Sequence, residues 1–166
     1  LTDPNALRRF APASFAQMDK LKKILRTPLL GALVRRAFDA ETMRMLEEKF
    51  MPLLADSERA LREEGRDIVT WNAPCVLIFH APSTGLCNQE NIVIAMTYAM
   101  LAAESLGLGS CMNGIMQHLL DRDRALRTQV GLPARCRVFG ALLLGYPATR
   151  PFQRSIPRRF HAVHWK

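Results

Sequence analysis

The sequence predicts an α+β fold in which helices wrap a central sheet, and three observations support this prediction. Two continuous apolar runs, residues 75–79 and 138–144, have the length and pattern of strands buried on both faces. Helical spacing of apolar residues dominates residues 14–65, and residues 91–106 form a helix that is apolar on nearly every side. No internal repeat or low-complexity segment divides the chain, so we expect one domain over residues 1–166.

The first half of the chain reads as a series of helices. Ser14 is a candidate N-cap for a helix to about residue 26, and Pro28 interrupts that helix. Residues 29–38 combine apolar side chains with two arginines, a pattern compatible with a lid, a membrane-surface stripe or a helix that packs one face on the core. The pattern favours the third interpretation. A helix over residues 41–50 follows, and another opens at Pro52 and ends at Gly65.

The second half alternates strands and helices. A polar loop, residues 83–89, separates the first strand from the apolar helix at residues 91–106. A helix that is apolar all round must be covered on all sides, and so small a chain offers little cover. The pattern therefore predicts a homodimer that buries this helix. Asp121 is a candidate N-cap for a last helix over residues 122–130, which Gly131 and Pro133 end.

Composition excludes several classes of function. The net charge is +8, but the basic residues are scattered among acids except at residues 150–159, and few aromatic side chains lie beside them to stack bases. We therefore expect no nucleic-acid partner; the basic tail fits either a phosphate-bearing ligand or a solvated surface. The longest apolar run, residues 92–103, is shorter than the roughly 20 residues of a membrane span. No signal peptide is visible, and we expect no membrane partner.

The reactive residue types form no familiar catalytic or metal-binding pattern. The four cysteines lie too far apart for CxxC pairs, so we expect no metal site, reduced thiols and a cytoplasmic location. There is no GxSxG, GxxxxGK or HExxH sequence. The four histidines, His80, His118, His161 and His164, have no evident nucleophile or metal partner and are expected to be structural or exposed. What remains is a mechanism in which a cofactor carries the difficult chemistry.

The glycine-rich stretch at residues 107–114, GLGSCMNG, is the strongest candidate for a cofactor loop. Glycines let a backbone lie close to a planar ligand, and exposed backbone N–H groups can donate to an electron-rich ring atom. The alternative is a plain helix C-cap at Gly107 and Gly109, which the local pattern alone favours.

The order of these features resembles the nitroreductase family of flavin-dependent oxidoreductases. The apolar helix is followed by GLGSCMNG, then by the strand ending in Gly-Tyr-Pro at residues 145–147, and then by a basic tail with Pro-Arg-Arg at 157–159 and Val-His-Trp at 163–165. The resemblance implies a nitroreductase-like fold with a central mixed or antiparallel sheet and the long apolar helix at a dimer interface. The tail is most similar to that of members fused behind a ferredoxin-type domain.

The resemblance also implies the residues of the site. Cys111, Met112, Asn113 and Gly114 would bind FMN, with the backbone of Asn113 and Gly114 facing the isoalloxazine. The Gly114 N–H would donate to flavin N5, and is the one catalytic group implied. Arg154, Arg158 and Arg159 would hold the FMN phosphate, because arginine offers a bidentate fork to phosphate oxygens.

The implied function is that of an FMN-dependent oxidoreductase. Two electrons would pass from NAD(P)H, or from a ferredoxin-type donor, through flavin N5 to a nitroaromatic, a quinone or a similar small-molecule acceptor. The alternative is a non-catalytic homodimer that keeps the fold but has lost flavin. The resemblance covers residues 71–166 well and residues 1–70 poorly, since the family's RRSxR-like and APSxxNxQ-like segments are absent. We therefore expect a chain truncated at its N-terminus relative to the family, with weakened flavin affinity.

Overall fold

The computed structural model describes residues 1–148 and confirms the α+β class. The helices of the first half are α1 (Pro4–Leu7), α2 (Phe10–Arg26), α3 (Pro28–Ala37), α4 (Ala40–Met45) and α5 (Met51–Glu64), with a π-helical turn (Leu46–Phe50) joining the last two. The second half contains β1 (Cys75–Pro82), α6 (Asn88–Ser105), β2 (Gly109–Met112), α7 (Gly114–Arg122), α8 (Arg124–Gln129) and β3 (Cys136–Gly145).

The sheet is small and antiparallel, with the strand order β1-β3-β2. The central strand β3 has consecutive buried residues, so the prediction that it is buried on both faces is confirmed. The same prediction is wrong for β1, where only Val76 is buried, because β1 lies at an edge of this sheet.

Helices α6 and α7 contact neighbouring residues of β3. Ala141 packs in a cluster with α7, whereas Met96 of α6 lies against Gly140. Since neighbouring strand residues face opposite sides, α6 and α7 cover opposite faces of the sheet.

Two apolar clusters hold the helices to each other and to the sheet. The first joins α7 to the sheet and includes Phe10, Met116 and Val138, each fully buried. The second lies between α2 and α5 and includes Phe15 and Leu54. Ile115 packs against both clusters. The start of α7 is therefore fixed at the junction between the helical layer and the sheet.

Two predicted helix caps are wrong. Ser14 does not begin α2; it is buried inside that helix, and its hydroxyl donates to the Ala11 carbonyl oxygen at 2.7 Å. The helix begins earlier because Phe10 is buried in the core. Asp121 does not cap α8 either: α7 extends through it, and its carboxylate accepts from the Val138 N–H at 3.1 Å. The cap of α8 is Asp123, whose Oδ1 accepts from the N–H groups of residues 125 and 126.

Helix α3 does not pack an apolar face on the core as the sequence pattern favoured. Its one buried residue is Gly31, and Leu29, Leu30 and Leu33 are exposed. The reason is a close approach of backbones: a Cβ on Gly31 would lie 2.5 Å from the Leu25 carbonyl oxygen. The helix therefore contacts α2 through its glycine and turns its leucines outward.

The long apolar helix begins at Asn88, three residues before the predicted start, and ends at Ser105. Its buried residues are Ile92, Met96 and Ala103, which face the sheet side. The opposite side is exposed and apolar, with Val93, Ile94, Tyr98 and Leu101. The dimer interface on this helix stays a prediction. None of the helices within residues 1–148 is both long enough and apolar enough to cross a membrane.

Candidate functional site

The glycine-rich stretch is more regular than a free loop. Gly107 ends α6 in the left-handed region, with φ of 72°, so the C-cap interpretation is confirmed for this residue. Gly109 is not a cap, because it begins β2. Cys111 and Met112 follow in the same strand, pair with Leu143 and Leu142 of β3, and are exposed. The sheet therefore holds one side of the stretch in a fixed position.

Asn113 anchors the end of this stretch with three hydrogen bonds. Its backbone N–H donates to the Ala141 carbonyl oxygen at 2.9 Å. Its side-chain Oδ1 accepts from the Met116 N–H at 2.9 Å, and its Nδ2 donates to the Val69 carbonyl oxygen at 2.6 Å. The Asn113 N–H is therefore hydrogen-bonded to β3, and the buried Asn113 side chain is the N-cap of α7.

Gly114 is the first residue of α7 and is exposed. Within residues 1–148 its backbone N–H donates to no other group, as is usual for the first N–H groups of a helix. A Cβ on Gly114 would meet nothing within 4 Å. Among the described residues, the Gly114 N–H is therefore an unpaired backbone donor with no neighbour over its Cα, at the end of a helix where the backbone dipoles favour negative charge.

A rigid turn at residues 67–73 supports Asn113 from the other side. The buried Asp67 carboxylate accepts from the Val69 N–H at 2.8 Å, the Thr70 N–H at 3.1 Å and the Thr70 hydroxyl. Trp71 and Asn72 follow in the left-handed region, with φ of 55° and 50°. Strained residues of this kind occur where the surrounding contacts fix the chain. The sequence patterns did not predict this turn; the one local signal is an Asp with a Thr three residues later.

A groove of about 780 Å³ begins at Gly114 and runs along α7 to the start of β3. Its lining includes four charged side chains, Asp121, Arg122, Arg127 and Arg137, and the imidazole of His118. The Arg127 guanidinium donates to the carbonyl oxygens of residues 120, 133 and 136, which makes it structural. Arg137 pairs with Asp121 at 3.6 Å.

His118 lies on α7 within this groove, four residues from the Gly114 donor. Its Nδ1 is 2.6 Å from Nη1 of Arg122. Partial burial lowers the pKa of His118 below its usual value although the side chain is still largely exposed, and the positive charge of Arg122 lowers it further, while Asp121 acts in the opposite direction. Arg122 Nη1 also lies 2.7 Å from Nε2, so its positive charge is close to the whole imidazole ring. Both effects favour the neutral form of this partly exposed side chain.

The remaining predicted site residues lie outside the part of the chain that the structure describes. Arg154, Arg158 and Arg159, which the resemblance assigns to the FMN phosphate, belong to this part. Within residues 1–148 no three His, Cys, Asp or Glu side chains are grouped so that they could hold a metal ion. The four cysteines are free thiols, with Cys136 buried and Cys75 half-buried.

A sequence model of the nitroreductase family matches residues 1–146. The chain belongs to the nitroreductase family. The match includes residues 1–70, for which the short motifs indicated only a poor resemblance.

One curated protein is similar to part of the chain in sequence, and solved structures are similar to it in fold. A protein of Methanothermobacter thermautotrophicus named "Putative NADH dehydrogenase/NAD(P)H nitroreductase" is 38% identical over 78 residues, which are 46% of this chain and 40% of the relative. The chain thus spans less than half the length of this curated relative. An iodotyrosine deiodinase solved with FMN and 3-iodo-L-tyrosine has a TM-score of 0.56 at 19% identity, over 100% of this chain and 73% of the other.

A nitroreductase of Desulfitobacterium hafniense, solved with bound FMN, has a TM-score of 0.51 at 21% identity. It covers 67% of this chain, and this chain covers 61% of it. At these identities the two solved structures establish the fold, which is nitroreductase-like with a small antiparallel sheet.

Proposed function

We propose that this chain is the flavin-binding part of an FMN-dependent oxidoreductase, with the isoalloxazine beside Gly114. The observation that carries the proposal is the exposed Gly114 N–H, which has no partner within residues 1–148 and is held in place by Asn113. A preorganised backbone donor at a helix N-terminus stabilises negative charge on a ring atom without moving at the moment of reaction.

The residues around Gly114 fit a flat cofactor. Among the described residues, the absence of a side chain at Gly114 leaves open space. Cys111 and Met112, which are exposed on the edge strand β2, precede Gly114 by three and two residues. When bound, FMN would supply two-electron chemistry at N5, between a reduced donor and an oxidised acceptor. The chain itself would orient the ring and donate the Gly114 hydrogen bond. Arg154, Arg158 and Arg159 are proposed to bind the phosphate.

The proposed donor is NAD(P)H, and the proposed acceptors are nitroaromatics or quinones. The name of the curated relative supports NAD(P)H as the donor and nitroaromatics as acceptors. A ferredoxin-type donor is the second candidate, on the resemblance of the tail.

We also propose a homodimer formed through α6. Four large apolar side chains are exposed on one side of this helix, and its 18 residues carry two acidic side chains and no basic one. An apolar, nearly uncharged surface of this kind suits a second copy of the same surface. Tyr98→Glu with Leu101→Glu should halve the mass measured by light scattering, whereas Leu53→Glu, an exposed site on α5, should leave the mass unchanged. A monomeric unmodified protein would exclude the dimer.

Two substitutions at Gly114 test the flavin assignment. Proline is favoured at the first position of a helix and removes the N–H, and Asn113 already has the extended backbone that a residue before proline prefers. Alanine keeps the N–H and has room for its methyl group. We expect Gly114→Pro to weaken FMN binding about tenfold more than Gly114→Ala does, as measured by flavin fluorescence titration. Equal FMN affinities in the two folded variants would show that the Gly114 N–H does not contribute to FMN binding.

The phosphate assignment has a separate test. Arg158→Ala should release FMN while the mass of the dimer stays the same, because a lost charge-assisted contact costs roughly 1.5–3 kcal/mol. Unchanged flavin occupancy would contradict this role.

The visible spectrum of the protein with added FMN tests the whole proposal. Flavin bands that are bleached by a reduced nicotinamide would support the enzyme. A folded dimer that takes up no FMN would be the non-catalytic alternative.

A further inference from the structure

Helix α3 carries an exposed apolar face that the fold does not use. Leu29, Leu30 and Leu33 are 82%, 48% and 65% exposed, and Phe38, just past the helix, is 52% exposed. At 100° per residue the three leucines lie on one side of the helix, opposite Gly31, which contacts α2. The leucines therefore point away from the protein.

The segment around this face is strongly basic, so the expectation that basic residues outside 150–159 are scattered among acids is wrong for this segment. Residues 20–38 contain six basic side chains and no acidic one: Lys20, Lys22, Lys23, Arg26, Arg35 and Arg36. Lys22 pairs with Asp19 at 3.9 Å, and Arg35 pairs with Glu47 at 3.0 Å. The other four have no acidic partner within 4 Å in the part of the chain that the structure describes. We call the exposed side chains of residues 20–38 the basic-apolar surface.

We propose that the basic-apolar surface binds the anionic surface of a lipid bilayer, with α3 lying in the interface. Leucine and phenylalanine side chains would enter the boundary of the acyl chains, and the lysines and arginines would lie among the phosphates. Stable peripheral binding needs both an apolar insertion and a basic patch, and this surface supplies both.

The basic-apolar surface and the exposed apolar face of α6 differ in charge. Helix α6 has no basic residue, so it suits a second copy of the chain, whereas the basic-apolar surface would repel a copy of itself. The sequence predicts no membrane partner, because it contains no spanning segment. A helix that lies on the bilayer needs no such segment, and the exposed leucines are visible only in the structure.

Flotation of the full chain with lipid vesicles tests the proposal. Vesicles of phosphatidylcholine alone are compared with vesicles containing phosphatidylserine, at low and at high salt. We expect binding to the anionic vesicles alone, falling at least about tenfold at high salt. Leu29→Ser with Leu33→Ser should abolish flotation, and so should glutamine at Lys20, Lys23, Arg26 and Arg36. Both variants change exposed side chains, so circular dichroism should show an unchanged fold.

Matched controls change the same chemistry elsewhere. Leu53→Ser with Leu86→Ser removes two exposed leucines, and glutamine at Arg8, Arg44, Lys49 and Arg124 removes four exposed charges. Both controls should float like the unmodified protein. The proposal is overturned if the unmodified chain does not float, or if controls and test variants lose binding equally. It is also overturned if the leucine variant lowers the mass of the dimer or if the surface binds RNA in preference to vesicles.

Discussion

The side-chain amide of Asn113 donates to the carbonyl oxygen of Val69 at 2.6 Å, and both residues are buried. The same side chain caps α7 by accepting from the Met116 N–H. One residue thus ties the rigid turn at residues 67–73 to the start of α7. The position of the Gly114 donor depends on both contacts.

Substitutions at Asn113 separate these two contacts. Asn113→Ser keeps an N-cap oxygen but cannot reach Val69, and we expect it to lower the free energy of unfolding by about 1–2 kcal/mol. Asn113→Ala loses the cap as well and should cost about 1 kcal/mol more. Urea unfolding measures both values, with Asn91→Ala, at an exposed position on α6, as the control. Equal values for the serine and alanine variants would show that the cap contributes nothing.

The packing of α6 on the sheet depends on a glycine. A Cβ on Gly140 would overlap Sδ of Met96 and lie 2.9 Å from its Cε. Gly140→Ala should therefore destabilise the fold by about 1–3 kcal/mol, through displacement of Met96. The penalty should shrink in a Met96→Ala background, which a double-mutant cycle of thermal or urea unfolding measures.

The matched control for this cycle is Gly109→Ala. A Cβ on Gly109 would have its nearest neighbour at an ordinary 3.5 Å. The control should cost less than Gly140→Ala in both backgrounds. The same penalty at Gly140 with and without the Met96 side chain would show that the overlap is not the cause.

Sequence patterns succeeded where the cause is local. The continuous apolar run of β3 and the left-handed Gly65 after α5 were predictable, because burial and the backbone preference of glycine act within a few residues. The caps at Ser14 and Asp121 failed, because Phe10 is drawn into the core and Asp121 bonds to a strand 17 residues away.

In the candidate site, too, some features were predictable from the sequence and others were not. Its glycines and the family likeness were visible in the sequence, and they located Gly114. The bond from Asn113 to Val69 spans 44 residues, and the outward leucines of α3 follow from a close approach of α2 at Gly31. Neither relation leaves a periodic signal, because both depend on how distant segments pack.

The end of α5 tests the role of Gly65. Its φ is 65°, and a Cβ there would meet no atom within 4 Å, so any cost of a side chain comes from the backbone. Gly65→Ala should lower the free energy of unfolding by about 1 kcal/mol, and Gly65→Asn by less, because asparagine tolerates this region better. Glu63→Ala, an exposed helical neighbour, should be nearly neutral in the same urea titration. A neutral alanine at Gly65 would contradict the backbone explanation.

The lowered pKa of His118 predicts a pH dependence of stability. Burial is the larger cause and the charge of Arg122 the second, with Asp121 opposing them. As pH falls through the usual histidine pKa of about 6.5, His118 binds a proton in the unfolded chain but not yet in the folded chain. The unfolded state then binds more protons, so stability should fall with pH in this range and level off below the folded pKa.

Melting temperatures between about pH 8 and pH 5 measure this dependence. His118→Gln removes the titrating group and should flatten the slope below about pH 6.5. Arg122→Gln should flatten it in part, because one of the two causes of the shift is removed while burial remains. If His118→Gln keeps the full slope of the unmodified protein, the proton uptake belongs to another group. A slope that is steeper in Arg122→Gln would mean that Arg122 raises the pKa, which is opposite to the repulsion expected between two adjacent positive charges.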